Sequence, residues 1–397
     1  MSPSEADTRC DVLIAGAGLV GLSLAPALAE LGLSVALADR APVAAPADPD
    51  GDADWDARVY AISPGSAAFL RSVGAWQLLS PERIAPVERM RVAGDGGATL
   101  EFSAYDLGER ALAWIVEERS LRAALVPRAH AAGVAMHAPR TFASLAWSPD
   151  GGTVRFDDGS AVTARLVVAA DGLRSSVRDA AGIVASVRPY GQTAVVANFR
   201  CERAHHGRAR QWFRDDGGIL AWLPLPGRRI SIVWSAPEVL ARELLGLDPA
   251  GLAARVAEAG SHALGALECV TPAAGFPLAF MRVPSMIAHR LALIGDAAHG
   301  VHPLAGQGVN LGFGDAEALT AVLRERGPVA DAGAAVLLER YARRRVEPVR
   351  AMQAVTDGLW HLFGAAAPWV RTARNLGMAA VDRLPLAKRL LAQSALR

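Results

Sequence analysis

LALIGDAAHGVHPLAGQGVNL, residues 291–311, decides how the rest of the chain is read. An apolar run (Leu291, Ala292, Leu293, Ile294) meets Gly295-Asp296, and a Gly-rich turn leads to a helix that opens at Gly306-Gln307-Gly308. This pattern predicts a strand, an acid at its tip, and a helix N-terminus aimed at the same point. Free backbone N–H groups and the helix dipole make such a point a site for negative charge. Similar turns lie near residues 16 and 171. Phosphate- or ribose-type contacts so far apart in sequence point to one large cofactor, gripped by a domain folded from separated segments.

Residues 11–15 (DVLIA) predict a buried strand, Leu22–Leu31 a helix ended by Gly32, and Val35–Ala38 a second strand tipped by Asp39. Between strand and helix stands Gly16-Ala17-Gly18-Leu19-Val20-Gly21. In this pattern the first glycine makes the turn, the second lets backbone approach a pyrophosphate, and the third packs helix on strand. Asp39, 18 residues after Gly21, is placed to accept hydrogen bonds from an adenosine ribose. The pattern leaves NAD and FAD both open. Leu166–Ala170 runs into Asp171-Gly172 and then Arg174, Ser175 and Arg178. It fits either a second cofactor turn or a plain strand–turn–helix with a capping serine and surface arginines.

Composition excludes several classes. The 397 residues are 52% hydrophobic and 20% charged, with 41 basic against 40 acidic side chains, so the chain is globular and has no global basic field for nucleic acid. Cys10, Cys201 and Cys269 are too few and too scattered for a disulfide framework, which fits a reducing, cytoplasmic setting. No signal peptide and no membrane-spanning run is read. Asp296, His299 and His302 raise the question of a metal, but a Gly/Pro turn with no third imidazole or thiolate argues for none. No G-x-S-x-G elbow supports acyl transfer. Residues 41–57, with acids at 48, 50, 52, 54 and 56, predict an exposed loop. Ser63–Leu79 predicts a helix. Strands are expected in 87–103, 152–169 and 190–235, and helices from Asp315 onward, broken at Pro328, Pro348, Pro368 and Pro385.

In this order, the motifs at 16–21, 171–178 (DGLRSSVR) and 295–310 (GDAAHGVHPLAGQGVN) resemble the FAD-dependent aromatic hydroxylases of the para-hydroxybenzoate hydroxylase class. Finer matches are similar to the ubiquinone-biosynthesis hydroxylases: Asp56-Ala57-Arg58 through Ser63, Trp114–Glu117, Tyr190–Ala194 and the tail from Tyr341 through Lys388. The resemblance spans nearly the whole chain. It implies an α/β (mixed α+β) fold: a Rossmann-like FAD-binding domain (1–75, 104–182, 283–335), an inserted antiparallel-sheet substrate domain (76–103, 183–282) and a C-terminal helical region (336–397). By the same resemblance Gly16, Gly18 and Gly21 hold the pyrophosphate, Asp39 the ribose, and Arg58 lies near the diphosphate. Asp171-Gly172 serves FAD and NAD(P)H docking, Asp296 binds the ribityl chain, and Pro303, Gly306, Gln307, Gly308 and Asn310 line the isoalloxazine. Glu118 departs from the family, which carries an amide or a cation there, and a carboxylate at that place would be repelled by a diphosphate.

The resemblance further implies that NAD(P)H reduces FAD, O2 adds at flavin C4a, and the hydroperoxide hydroxylates a phenol ring, with no catalytic side chain assigned because the cofactor carries the chemistry. A single G-x-G-x-x-G implies that NAD(P)H visits the flavin domain transiently. The expected substrate is a polyprenylated phenol or quinol of ubiquinone synthesis. Trp212, Phe213, Trp222 and Trp234 are candidates for its wall or for the core. After Pro368, six basic residues stand against one acid among interspersed leucines, which suits a peripheral membrane contact, a partner subunit or quinone-synthesis complex, or a packed terminal helix. Two other readings stay open: a hydroxylase of a small soluble aromatic, separated by substrate lipophilicity, and a non-catalytic flavoprotein, separated by substrate-dependent O2 uptake.

Overall fold

The strand Thr8–Ala15, buried along Val12–Ala15, lies at the centre of a largely parallel sheet. The order of that sheet is Ile287–Ala288, Leu291–Leu293, Ala161–Ala169, Thr8–Ala15, Val35–Ala38, Ala135–His137, with a hairpin (Phe142–Ser148, Gly151–Phe156) added to Ala161–Ala169. The computed structural model describes residues 8–46, 54–327, 331–365, 367–384 and 388–389. Near-continuous Val, Ile, Leu and Ala in these strands follows from helices covering the sheet. One consequence positions the site. The three strands that end in Ala15, Ala169 and Leu293 run side by side and in parallel, so the turns at 16–21, 171–176 and 295–297 emerge at one edge. Ligands of open α/β sheets bind at that carboxyl edge.

A second sheet of nine strands is mostly antiparallel. Its order runs His299–Gly300, Ala274–Arg282, Ser186–Cys201, Arg229–Pro237, Ile219–Leu225, Arg208–Phe213, Arg89–Ala93, Thr99–Ser103, with Leu267–Cys269 on Ser186–Cys201. One face packs a separate core of Phe199, Trp222, Trp234 and Leu252 under the helices Glu238–Gly246 and Pro249–Ala259. A small sheet (Val59–Ile62, Ala113–Glu117, Ala85–Val87) joins the two.

Several expectations shift. The helix expected over Ser63–Leu79 is Pro64–Ser72, capped by Ser63 Oγ; Gly74, at φ +74°, turns the chain before the short 3-10 turn Trp76–Leu78. Pro348 does not break its helix, which runs unbroken over Ala335–Gly364. A buried stripe at Tyr341, Arg345, Val349 and Gln353 outweighs the one hydrogen bond a proline removes. Pro368 opens the next helix, Pro368–Asp382, while Pro328 and Pro385 lie outside the described residues. Of the acidic loop, 47–53 lie outside them too. Its end is not free surface: Trp55 is buried, with the Arg83 guanidinium 4.1 Å from its ring centre.

Candidate active site

A cavity of about 830 Å³ runs from the carboxyl edge of the parallel sheet across the open face of the antiparallel one. Its first wall is built from the three turns. Gly16 sits at φ +112°, and a Cβ there would lie 2.2 Å from Ala170 O. A Cβ on Gly21 would lie 2.0 Å from Gly16 O. Both positions therefore shape the turn and take no part in lining the cavity. Gly18 is different. A Cβ on it would meet nothing within 4 Å, because its missing side chain opens onto the cavity just where the helix Leu19–Ala29 begins.

Asp39 folds its carboxylate onto that loop, accepting Ala17 N–H at 2.6 Å and Ala41 N–H at 2.8 Å. Asp171 accepts Val177 N–H at 3.2 Å through one oxygen, and the other is buried without a partner among the described residues. Burial pushes this carboxyl's pKa up, against hydrogen bonds from Ser175 and Val177. Gly172 lines the cavity. Arg178, a surface arginine on one of the two readings the sequence left open, is buried and donates to Leu173 O and Ala297 O, tying two of the turns together.

Asp296 opens onto the cavity from the turn Gly295–Ala297. Protein encloses it on its other sides, and this burial raises its pKa against the pull of His299 and Arg58. Beyond it Pro303, Gly306, Gln307 and Gly308 line the cavity, where the helix Gln307–Arg324 starts at Gly306 in the left-handed region. Asn310 does not line it. Its amide is spent on Ser63 N–H (3.0 Å) and Ala61 O (2.8 Å), which fasten the strand Val59–Ile62. The other side of the cleft carries Arg58, whose Nε donates to Glu118 at 2.8 Å. Glu118 thus lines the cavity as the partner of Arg58, and the repulsion expected of it is offset by that guanidinium.

The arrangement fits a dinucleotide. Two helix N-termini, a glycine opening onto space and an Arg face one elongated cavity. The sequence profile described as "FAD binding domain" matches residues 9–356. The ubiquinone hydroxylase UbiL of Rhodospirillum rubrum is 39% identical, over 99% of this chain and 90% of that protein. The 3-demethoxyubiquinol 3-hydroxylase of Escherichia coli is 34% identical, over 96% of each. The chain belongs to the FAD-dependent monooxygenases. The solved structure of Pseudomonas aeruginosa PqsL with 2-aminobenzoylacetate matches this fold at a TM-score of 0.76 and 25% identity, over 93% of this chain and 100% of that one.

The monooxygenase holds its flavin wall in place with buried charges that local sequence does not announce. Asp315 accepts Gly295 N–H (2.9 Å), His299 Nε2 (2.6 Å) and Arg345 Nε (2.6 Å). Those partners hold its carboxyl below the ordinary range despite burial. Glu117 receives Arg83 in a fork (2.7 and 2.9 Å) and accepts Asp56 N–H at 2.6 Å, which sets the Asp56-Ala57-Arg58 segment. An acid on the apolar stripe of Leu311 and Leu319, and an Arg on that of Tyr341 and Val349, are the signals that identify the Asp315–Arg345 pair.

His299 and His302 are both committed elsewhere. His302 Nε2 lies 3.0 Å from Gln192 Oε1, which also accepts Trp360 Nε1–H. Because tryptophan only donates, His302 carries its proton on Nε2. No group of three or more His, Cys, Asp or Glu converges among the described residues.

The second wall is the antiparallel sheet. Of the four aromatics proposed for it, Phe213 lines the cavity and stacks on Phe363 at 3.6 Å between ring centres. Trp222 and Trp234 are fully buried in the other core, with Trp212 against Trp222 at 5.0 Å. The strand pleat sends alternate residues to opposite faces, which divides them so. Leu359, Phe363 and Met378 of the C-terminal helices close the far end.

Proposed function

We propose that this enzyme hydroxylates the ring of a lipophilic phenol or quinol intermediate of ubiquinone synthesis, with NAD(P)H as electron donor and O2 as oxidant. The observation that carries the reading is the shape of the cavity. It is continuous from the flavin turns to the C-terminal helices, and its far half is apolar: Val92, Leu100, Phe102, Leu359, Phe363 and Met378. A small polar aromatic needs no such extension; an isoprenoid-bearing ring does. The names of the two relatives support the same class. FAD, when bound, supplies the activation of O2 with electrons drawn from NAD(P)H.

The chain's own residues bind, orient and exclude water. Gly18 and the start of Leu19–Ala29 take the diphosphate, on a turn shaped by Gly16 and Gly21. Asp39 offers its remaining lone pairs to the ribose. Arg58 balances the diphosphate, Asp171-Gly172 supports it, and Asp296 accepts from the ribityl chain. Pro303, Gly306, Gln307 and Gly308 carry the ring, and the helix N-terminus at Gln307 favours negative charge there. In this reading 1–75, 104–182 and 283–335 form the FAD lobe, 76–103 and 183–282 the substrate lobe, and 336–397 the helical cover.

The test pairs oxygen and electron accounting. With 2-geranylphenol, purified enzyme should consume one O2 per NAD(P)H and yield a product one oxygen heavier by mass spectrometry. NAD(P)H oxidation that releases only peroxide with every prenylated phenol tried, alongside coupled hydroxylation of a small soluble aromatic, would overturn it. The precursor that accumulates in a deletion strain names the step.

Membrane contact is a second reading, favoured by Trp369 and Leu376, both exposed on Pro368–Asp382, and by exposed Leu384 just after it. Half of the six cations expected to drive it are paired. Arg374 and Arg371 pair with Asp95, and Lys388 with Asp382. Leu386, Leu390, Leu391 and Arg397 lie outside the described residues. No helix among the described residues is long and apolar enough to cross a membrane. Binding to anionic vesicles should therefore fall with Trp369→Ser/Leu376→Ser and depend weakly on salt. Vesicle binding unchanged in that variant would remove the reading.

A further inference from the structure

The floor of the cavity is a row of side chains from five neighbouring strands. Val92, Gln211, Ala221, Val233 and Val196 follow one another in register, and all five line the cavity. Four are apolar and one is an amide. Gln211 is only 6% exposed, and its side chain has no hydrogen-bond partner among the described residues. What surface it keeps opens onto the cavity, so a bound ring that displaces solvent there leaves the amide unpaired unless the ring bonds it, which is unfavourable. The group is aimed into the space that the substrate fills on the reading above.

The surroundings narrow what it can bind. Arg210, next on the strand, also borders the cavity, but the pleat sends its side chain to the face opposite Gln211, where Arg208, Arg91 and Glu101 lie near it. Arg58, on the facing wall, is paired with Glu118. The floor row therefore presents no cation. A side-chain amide offers two N–H donors and a carbonyl acceptor. It suits a phenol hydroxyl, which both donates and accepts, and a neighbouring methoxy or carbonyl oxygen. It cannot neutralise a carboxylate, which is costly to bury without a counter-charge.

We propose that Gln211 is the specificity-determining residue of this cavity: its amide holds a neutral oxygen of the aromatic ring, and the apolar row around it rejects a ring that bears a carboxylate. This rests on the cavity being the site of an aromatic substrate.

Two probes that differ by one carboxylate test it, 2-geranylphenol and 3-geranyl-4-hydroxybenzoate, titrated into FAD-loaded protein and followed by perturbation of flavin absorbance. The wild type should bind the phenol at least about tenfold more tightly than the acid. Gln211→Met, close in volume, should weaken the phenol about tenfold, with FAD content and unfolding midpoint unchanged. Gln211→Arg should reverse the preference toward the acid. Phenol binding by Gln211→Met within about twofold of wild type, or equal binding of both probes by the wild type, overturns the assignment; the second comparison needs no variant to fold. A wild type whose flavin responds to neither probe, but does respond to a small soluble phenol, overturns the reading of the cavity, and the assignment with it.

Discussion

Asp315→Asn is the perturbation that separates a positioned flavin wall from a merely present one. The substitution keeps shape and removes charge. Asp315 is buried and uses both oxygens: Oδ2 for Gly295 N–H and His299 Nε2, Oδ1 for Arg345 Nε. An asparagine keeps one oxygen and turns two N–H donors toward groups that are themselves donors. The buried Arg345 guanidinium loses its hydrogen-bonded counter-ion and keeps, among the described residues, a bond to the Leu311 carbonyl and the weaker pull of the Glu317 carboxylate. Breaking one side of a buried pair costs about 3–5 kcal/mol, and the loss of the Gly295 contact adds about 1 kcal/mol. The whole stability of a domain is about 5–15 kcal/mol, so the variant should be isolable but weakened. Urea unfolding should show a midpoint shift equivalent to about 3–5 kcal/mol, and FAD affinity should fall because the turn that carries Asp296 loosens. Arg345→Gln beside Asp315→Asn removes the orphaned charge. The double variant should then be less destabilised than the sum of the two singles. A single Asp315→Asn variant with stability within about 1 kcal/mol of wild type and full flavin occupancy would refute the reasoning.

Three further outcomes follow from the same geometry. Gly18→Val should fold, since its Cβ meets nothing in the protein, and yet fail to hold FAD, since that Cβ fills the space before the helix N-terminus; colourless protein with a wild-type apo unfolding midpoint is the expected result. Asp296→Asn should lower flavin occupancy, read from the visible absorbance of the purified protein, while the apo unfolding midpoint stays near that of the wild type, because the carboxylate it replaces is exposed to the cavity. His302, with its pKa pushed down to about 4 by burial, stays neutral in the fold while an unfolded histidine titrates near 6.5. Stability should therefore drop by roughly 3 kcal/mol as pH falls from 6.5 to 4, and urea unfolding of His302→Gln across that range should lack this slope.

What sequence reveals here is whatever the backbone itself demands. Gly16, Gly21 and Gly306 are legible because positive φ or close approach excludes a side chain there, and such constraints are local. The parallel strands are legible because burial on both faces leaves them apolar throughout. The residues that hold these turns are not, because each acts through a partner far along the chain. Asp315 meets Arg345, Glu117 meets Arg83, and Arg178 meets Ala297 O. Asn310 shows the reverse case: it belongs to the flavin motif, yet its amide faces the strand behind it. Gln211 lies in a plain alternating strand, and only the register of five strands makes its isolation visible.

The same long-range logic governs how the C-terminal helices must be probed. Deleting the chain from Pro368 looks like a clean way to remove a membrane contact, but it would do three other things. It would strip Arg371 and Arg374 from Asp95, whose carboxyl those partners hold below the ordinary range, and leave that carboxylate on the Arg89–Ala93 to Thr99–Ser103 turn without a counter-ion. It would remove Met378 from the end of the cavity, and it would expose Phe363, whose ring closes on Phe213. Gly94 and Gly96 pack so tightly against Asn375 that a Cβ on either would lie under 3 Å from it, so the turn and the helix are one packed unit. A truncated enzyme that no longer binds vesicles would thus report an opened cavity as readily as a lost surface. Trp369 and Leu376 point away from that unit, so replacing them alone tests the surface while the cavity stays closed. Wild-type flavin content and unfolding midpoint in that variant, with vesicle binding lost, would assign the contact to the exposed helix face.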